Sequence, residues 1–129
     1  MRVVIRADAS IKIGSGHIRR CLSLATELEK RGAEIFFVCR QLPSNLCDLL
    51  IGRNFRVFRL PAPAAGVPEC LPAEDARETA VVLDLLPGGS IEWLIVDHYV
   101  LGREWESVLR GRVNNILVLD DLADREHDC

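Results

Sequence analysis

The chain has 129 residues and is 49% hydrophobic, which suffices for the core of one compact domain and leaves no room for two of ordinary size. Its net charge of −3, with both signs dispersed, supplies no basic stripe, which argues against nucleic acid as a partner. No run approaches the ~20 apolar residues of a membrane span. The five cysteines form neither a C-x-x-C pair nor a zinc-ligand spacing, so we expect a reduced, cytoplasmic chain without metal or cofactor.

Five short apolar runs rich in β-branched or aromatic residues predict strands that are buried on both faces of a sheet. They lie at residues 3–5, 35–38, 57–58, 94–96 and 116–119. Helical spacing of apolar residues at 18–28, followed by Gly32, predicts an amphipathic helix, and weaker helical patterns lie at 43–52, 73–86 and 103–109. The proline-rich segment 61–72 predicts an irregular loop. The alternation predicts an α/β fold with a doubly wound, Rossmann-like parallel sheet.

Ligands bind such sheets at the carboxyl ends of the strands, so the segment after the first strand is the first candidate site. This segment carries Asp8, Ser10, Gly14, Ser15, Gly16 and His17. Its backbone N–H groups, with the positive end of the helix dipole, suit an anionic or polar ligand. Arg19 stands where a dinucleotide fingerprint needs its third glycine, and no Walker lysine follows Gly16, so neither nucleotide motif is present.

His17 is the first candidate catalytic residue. The dipole at the start of a helix favours the neutral imidazole, which accepts a proton at neutral pH, so His17 is a candidate general base. The alternative is a structural role, in which His17 caps the helix or makes a buried hydrogen bond.

Two further segments follow predicted strands. Asp97, His98 and Tyr99 offer an orienting carboxylate, a second base and a hydroxyl donor for a sugar, although Asp97 capping a turn is the simpler interpretation. The acidic run 120–128 follows the last strand and is typical of solvated or turn-capping residues. Zinc binding by His127 with Asp124 and Asp128 is the weaker alternative there, and no divalent site is assigned.

The opening motif R-A-D-A-S-x-x-I-G-x-G-H-x-x-R-C-L-x-L-A, from Arg6 to Ala25, resembles that of the UDP-2,4-diacetamido-2,4,6-trideoxy-β-L-altropyranose hydrolases of pseudaminic acid biosynthesis. The resemblance continues in order and spacing along the whole chain. The other matching positions are Glu74-Asp75-Ala76 with Thr79, Val96-Asp97-His98-Tyr99, Trp105-Glu106, Asp120-Asp121-Leu122-Ala123-Asp124-Arg125 and His127-Asp128-Cys129.

The resemblance implies the amino-terminal half of a two-domain UDP-sugar enzyme of the GT-B type, whose Rossmann-like halves face each other across a cleft. It implies that water attacks the anomeric carbon of the UDP-sugar with inversion and that His17 is the base. The residues expected to bind substrate are Asp8, Ser10, Gly14, Ser15, Gly16, Asp97 and Tyr99. Asp8 and Asp97 both remain candidates for the carboxylate that orients His17.

Proteins of that family are about twice as long as this chain, as two packed domains require. We therefore expect residues 1–129 to form the domain with the catalytic loop, a nucleotide-binding domain to lie outside this sequence, and activity alone to be low. An exposed cleft face would favour self-association or a carboxy-terminal domain as partner. Two other classes remain open: a glycosyltransferase-like half-domain, and a non-catalytic binding or interaction module with a structural His17.

Overall fold

A computed structural model describes residues 1–10, 14–43, 47–67 and 71–129 of the chain. The strands are β1 (Arg2–Ala7), β2 (Glu34–Arg40), β3 (Arg56–Leu60), β4 (Ile91–Asp97) and β5 (Val113–Leu119). The helices are α1 (Gly16–Lys30), α2 (Cys47–Gly52), α3 (Pro72–Leu85) and α4 (Arg103–Leu109), and a 3-10 turn, Arg110–Arg112, leads into β5. The predicted alternation of strands and helices is confirmed. Part of the predicted helix at 43–52, part of the loop at 61–72 and Cys70 lie outside the described residues.

The five strands form one parallel sheet in the order β3-β2-β1-β4-β5. Val3 of β1 lies opposite Ile35 of β2 on one side and Trp93 of β4 on the other. The strand order therefore reverses between β1 and β4, and a crevice forms beyond the carboxyl ends of these two strands. The predicted parallel, Rossmann-like α/β sheet is confirmed.

The core consists of two apolar layers, one on each face of the sheet. Ile5 and Phe37 point to the layer that contains Ile18 of α1. Val4 and Phe36 point to the opposite layer, with Trp105 of α4. Successive side chains of a strand face opposite sides, so the unbroken apolar runs of the sequence supply both layers.

Helix α1 ends just before a glycine, Gly32. Gly32 has a φ of +92°, a conformation that costs a glycine little, and its N–H donates to the carbonyl oxygen of Glu29 at 3.0 Å. The N–H of Ala33 donates to the carbonyl oxygen of Leu28 at 3.1 Å, which completes the helix end. No helix among the described residues has the length and apolar character that a membrane span requires.

Charged side chains are buried together where β1 and β2 end. Arg6 and Asp75 are fully buried, and Asp8 and Arg40 are 1% and 6% exposed. Arg6 donates to Asp8 at 2.6 Å and, through Nε, to Asp75 at 3.2 Å. The Arg40 side chain donates to Asp75 at 2.7 Å, and the Arg40 backbone N–H donates to Asp8 at 2.7 Å. These four residues are called the buried ion network below.

Asp75 connects this network to both helices on its face of the sheet. Trp105 of α4 donates its indole N–H to Asp75 at 2.8 Å, and Thr79 of α3 donates its hydroxyl at 3.2 Å. Burial alone would raise the pKa of Asp75, but the Arg6 and Arg40 guanidinium groups lower it to about 2. The carboxylate is therefore ionised at neutral pH and fixes α3 and α4 against the ends of β1 and β2.

Replacing Asp75 by asparagine removes the charge that balances Arg6 and Arg40. Uncompensated charge in a dry site is costly, so we expect the Asp75→Asn variant to lose roughly 3–5 kcal/mol of unfolding free energy in chemical denaturation. Asp84→Asn is a matched control on the same helix, because Asp84 pairs with Arg112 at the surface. Its expected cost is below about 1 kcal/mol. Equal losses in the two variants would contradict the role given to Asp75.

Acid should destabilise the protein through Asp75. A carboxyl group whose pKa is lower when folded contributes stability above its unfolded pKa and loses it as the pH falls through the folded pKa. For Asp75 this window runs from 3.8 down to about 2. Unfolding free energies measured across that window should fall more steeply for the wild-type protein than for Asp75→Asn, and parallel curves would refute the assignment.

Candidate active site

A small cavity lies at the crevice between the ends of β1 and β4. Its volume is about 120 Å³, and its lining residues are Gly16, His17, Arg20, Tyr99 and Asp121. They come from the first turns of α1 and from the segments that follow β4 and β5. Three of the residues predicted for the site, Gly16, His17 and Tyr99, are thus brought together.

His17 makes a direct contact with Asp97, the last residue of β4. The His17 side chain is 5% exposed, and its Nδ1 lies within hydrogen-bond distance of Asp97 Oδ1. A carboxylate only accepts hydrogen bonds, so this contact assigns the ring proton to Nδ1. In the neutral ring, Nε2 therefore carries the lone pair that can accept a proton.

Asp97 is held as an anion by its neighbours. Arg20 donates to both carboxylate oxygens, through Nε and Nη2, each at 2.7 Å. The Cys21 thiol donates to Oδ2 at 3.6 Å. Burial alone would raise the pKa of Asp97, but the hydrogen bonds from His17 and Arg20 lower it. The carboxylate thus orients the His17 ring and can stabilise an imidazolium.

The other ring nitrogen of His17, Nε2, differs from Nδ1 in its surroundings. Nε2 is buried and has no hydrogen-bond partner among the described residues. The Tyr99 ring packs edge-on against the imidazole, with 4.3 Å between ring centroids and 76° between the ring planes. Tyr99 itself is 41% exposed.

The structure decides between the two carboxylates that were candidates to orient His17. Asp97 contacts His17, whereas Asp8 belongs to the buried ion network and pairs with Nε2 of His98 at 3.0 Å. The N–H of Val100 donates to His98 Nδ1 at 3.1 Å. Both nitrogens of His98 are therefore engaged, which argues against His98 as a second base. The Asp97 partners among the described residues are on α1, which is not the turn-capping role. A substrate contact by Asp8 stays a prediction.

The glycine-containing segment is described on either side of residues 11–13, which lie outside the described residues. The Gly14 N–H donates to the Ser10 carbonyl oxygen at 2.8 Å, and Gly14 has a φ of +83°. The Ser15 hydroxyl accepts from Arg19 at 3.1 Å and does not cap α1. The first turn of α1 also contains no acidic residue. Binding of substrate by Ser10, Gly14 and Ser15 stays a prediction.

Two lining residues, Arg20 and Asp121, were not predicted from the sequence. Arg20 Nη1 donates to Asp121 at 2.8 Å, while the other side of the same guanidinium holds Asp97. Arg20 lies three residues after His17 and so shares its helix face. This spacing could have predicted that Arg20 lies beside His17. Asp121 belongs to the acidic run 120–128, and the sequence gives no means of telling which of its carboxylates lines a cavity.

The rest of that acidic run is structural. Asp120 accepts from the N–H groups of Leu122 and Ala123 at 3.1 and 3.0 Å, which is turn capping as expected. His127 contacts Asp120 at 2.7 Å and Glu106 at 2.6 Å. The alternative prediction, zinc binding by His127 with Asp124 and Asp128, is therefore wrong, because the His127 ring pairs with other residues. Within the described ranges, no group of metal-ligating side chains is suited to an ion.

Comparison with known proteins finds a distant relative. No family model matches the chain. The chain is 30% identical over 130 residues to the UDP-2,4-diacetamido-2,4,6-trideoxy-β-L-altropyranose hydrolase of Campylobacter jejuni subsp. jejuni serotype O:2. The aligned region covers all of this chain and 39% of that protein, so the chain spans less than half of its length. The similarity supports a distant relationship to a UDP-sugar hydrolase.

The His17–Asp97 contact predicts a single ring tautomer. In ¹⁵N-detected NMR of the neutral imidazole, we expect the proton on Nδ1 in the wild-type protein. In Asp97→Asn the amide can donate or accept, so the preference for Nδ1 should be lost. Asp121→Asn, which changes the other carboxylate bound by Arg20, should keep it. An Nε2-protonated ring in the wild-type protein would contradict the assignment.

Proposed function

We propose that this chain carries the catalytic base of a sugar-nucleotide hydrolase that releases UDP from a UDP-linked diacetamido-trideoxy sugar. The observation that carries the proposal is the His17–Asp97 pair, in which one imidazole nitrogen has no hydrogen-bond partner among the described residues and the ring lines a cavity at the ligand edge of the sheet. The distant relationship to a UDP-sugar hydrolase supports the same reaction class.

The proposed reaction is a displacement by water at the anomeric carbon. His17 Nε2 takes one proton from the water as its oxygen forms a bond to that carbon. The bond from the carbon to the diphosphate oxygen breaks, and UDP leaves with the bonding electron pair. Attack from the opposite side inverts the anomeric configuration. Asp97 stabilises the resulting imidazolium, and UDP, a good leaving group, needs no strong general acid.

Tyr99 takes part by controlling access to the base. Since Nε2 is buried beside the Tyr99 ring, water and substrate reach it only when the ring moves aside. The displaced ring would then lie against the sugar and help to keep bulk water out. We therefore propose that Tyr99 contacts the substrate.

The groups that hold UDP are assigned in this proposal to a second Rossmann-like domain of GT-B type. They would lie in the part of the relative that this chain does not span. The chain alone is accordingly proposed to have low activity. Cytoplasmic location and self-association through the cleft face stay predictions.

Replacing His17 should lower the rate of hydrolysis and leave the fold unchanged. We expect His17→Asn to slow UDP release by roughly 10²–10⁴-fold, the usual contribution of general acid–base catalysis. Proton NMR of the UDP-sugar during turnover measures both the rate and the anomeric configuration of the product. The assay uses this chain and, in parallel, the full-length product of its gene.

His127→Asn is the matched control, because His127 does not line the cavity and its ring nitrogens pair with Glu106 and Asp120. It should retain most of the activity. Full activity in His17→Asn would refute the base assignment. Transfer of the sugar to an added acceptor, with no free sugar formed, would favour the glycosyltransferase-like alternative.

A further inference from the structure

The cavity beside His17 has a carboxylate in its wall that the proposed reaction does not use. Asp121 lines this cavity together with Gly16, His17, Arg20 and Tyr99. The Asp121 side chain is 53% exposed, whereas that of Asp97 has no exposed surface. Asp97 is therefore enclosed by its protein partners, and Asp121 is the carboxylate that a ligand in the cavity can reach.

Arg20 holds the Asp121 carboxylate in a fixed position. Its Nη1 donates to Oδ1 at 2.8 Å and to Oδ2 at 3.0 Å. The same guanidinium donates through Nε and Nη2 to Asp97, so it is anchored at the end of β4. A carboxylate can accept about four hydrogen bonds, and a single nitrogen that lies between its two oxygens leaves their outer lone pairs for other donors. Asp121 is thus a preorganised acceptor.

The charge at the cavity favours the sugar over the diphosphate. One guanidinium, that of Arg20, pairs with two carboxylates, those of Asp97 and Asp121. The start of α1 adds roughly half a positive charge, which does not offset the second carboxylate. An anionic diphosphate is therefore disfavoured here, while a neutral sugar that donates hydrogen bonds is favoured.

The size of the cavity limits which part of the sugar enters. Its volume of about 120 Å³ lies below the ~300 Å³ at which pockets for whole ligands begin. His17 lines the same cavity and is the proposed base for the water that attacks the anomeric carbon. The part of the sugar that enters is therefore the anomeric carbon with its neighbouring substituents.

We propose that Asp121 binds the acetamido group on the carbon next to the anomeric carbon, by accepting a hydrogen bond from its N–H. This inference rests on the proposed function and on the name of the relative, which gives its substrate acetamido groups at carbons 2 and 4. An amide N–H suits the site because a carboxylate only accepts. Contacts at carbon 2 of a sugar strengthen as positive charge develops at the anomeric carbon, so this contact assists UDP release as well as binding.

Binding without rapid turnover tests the contact. The protein is the full-length product of the gene in its His17→Asn form, and the two probes are the UDP-linked diacetamido-trideoxy sugar and UDP alone. Calorimetry measures both dissociation constants. We expect Asp121→Asn, added to this form, to weaken binding of the UDP-sugar by roughly tenfold and to leave UDP binding unchanged, because UDP lacks the acetamido group.

Asp124→Asn is the matched control, because it makes the same change in the same segment. Asp124 is 56% exposed, pairs with Arg125 and does not line the cavity. This variant should bind both probes as the His17→Asn form does. In the otherwise wild-type protein, Asp121→Asn should lower kcat/KM for UDP release by about 10–100-fold, and Asp124→Asn by less than about twofold.

A purely structural role of Asp121 would act through Arg20 and Asp97 on the His17 ring. Equal weakening of UDP-sugar and UDP binding, or loss of the Nδ1-protonated ring in the single variant Asp121→Asn, would therefore overturn the contact. Unchanged UDP-sugar binding would also overturn it and would leave the proposed hydrolysis standing. Selective weakening in a protein whose wild-type form releases no UDP would overturn the proposed hydrolysis and leave the Asp121 contact standing.

Discussion

Two arginines and two aspartates, Arg6, Arg40, Asp8 and Asp75, are buried together where β1 and β2 end, and the geometry of the site depends on them. Asp8 holds the ring of His98, and His98 accepts from the backbone N–H of Val100, which fixes the turn that carries Tyr99. Asp75, which lies on α3, accepts from Trp105 of α4 and so joins these two helices. Buried charges are tolerated only in well-defined geometry, so the network makes this edge of the sheet rigid.

The same edge carries two histidine–aspartate pairs whose surroundings differ. His98 is closed on both sides, by Asp8 and by the Val100 N–H. His17 is closed on one side by Asp97, and its other nitrogen meets a tyrosine ring and a cavity. The His98–Asp8 pair therefore stabilises the structure, while the His17–Asp97 pair has the arrangement of a general base with its orienting carboxylate. Sequence position alone does not distinguish them, because each aspartate ends or follows a buried strand.

The elements were predictable because apolar runs such as 35–38 and the helical spacing from Ile18 to Leu28 follow directly from burial on a two-sided sheet. His17 and Tyr99 were predicted because ligands bind at strand ends, and both line the cavity there. The sequence could not show that Asp97, and not Asp8, orients the His17 ring, because this depends on how α1 packs across β4. Arg40 was missed for a similar reason: a charged residue ending a strand gives no sign that α3 will bury it against Asp75.

The most direct test of the central claim is turnover of the UDP-sugar in ¹⁸O-labelled water, followed by mass spectrometry of both products. Attack by water on the anomeric carbon breaks the bond between that carbon and the diphosphate oxygen, so the account predicts ¹⁸O in the released sugar and none in UDP. Label in UDP would mean attack at phosphorus. That result would contradict the role proposed for the His17–Asp97 pair at the anomeric carbon.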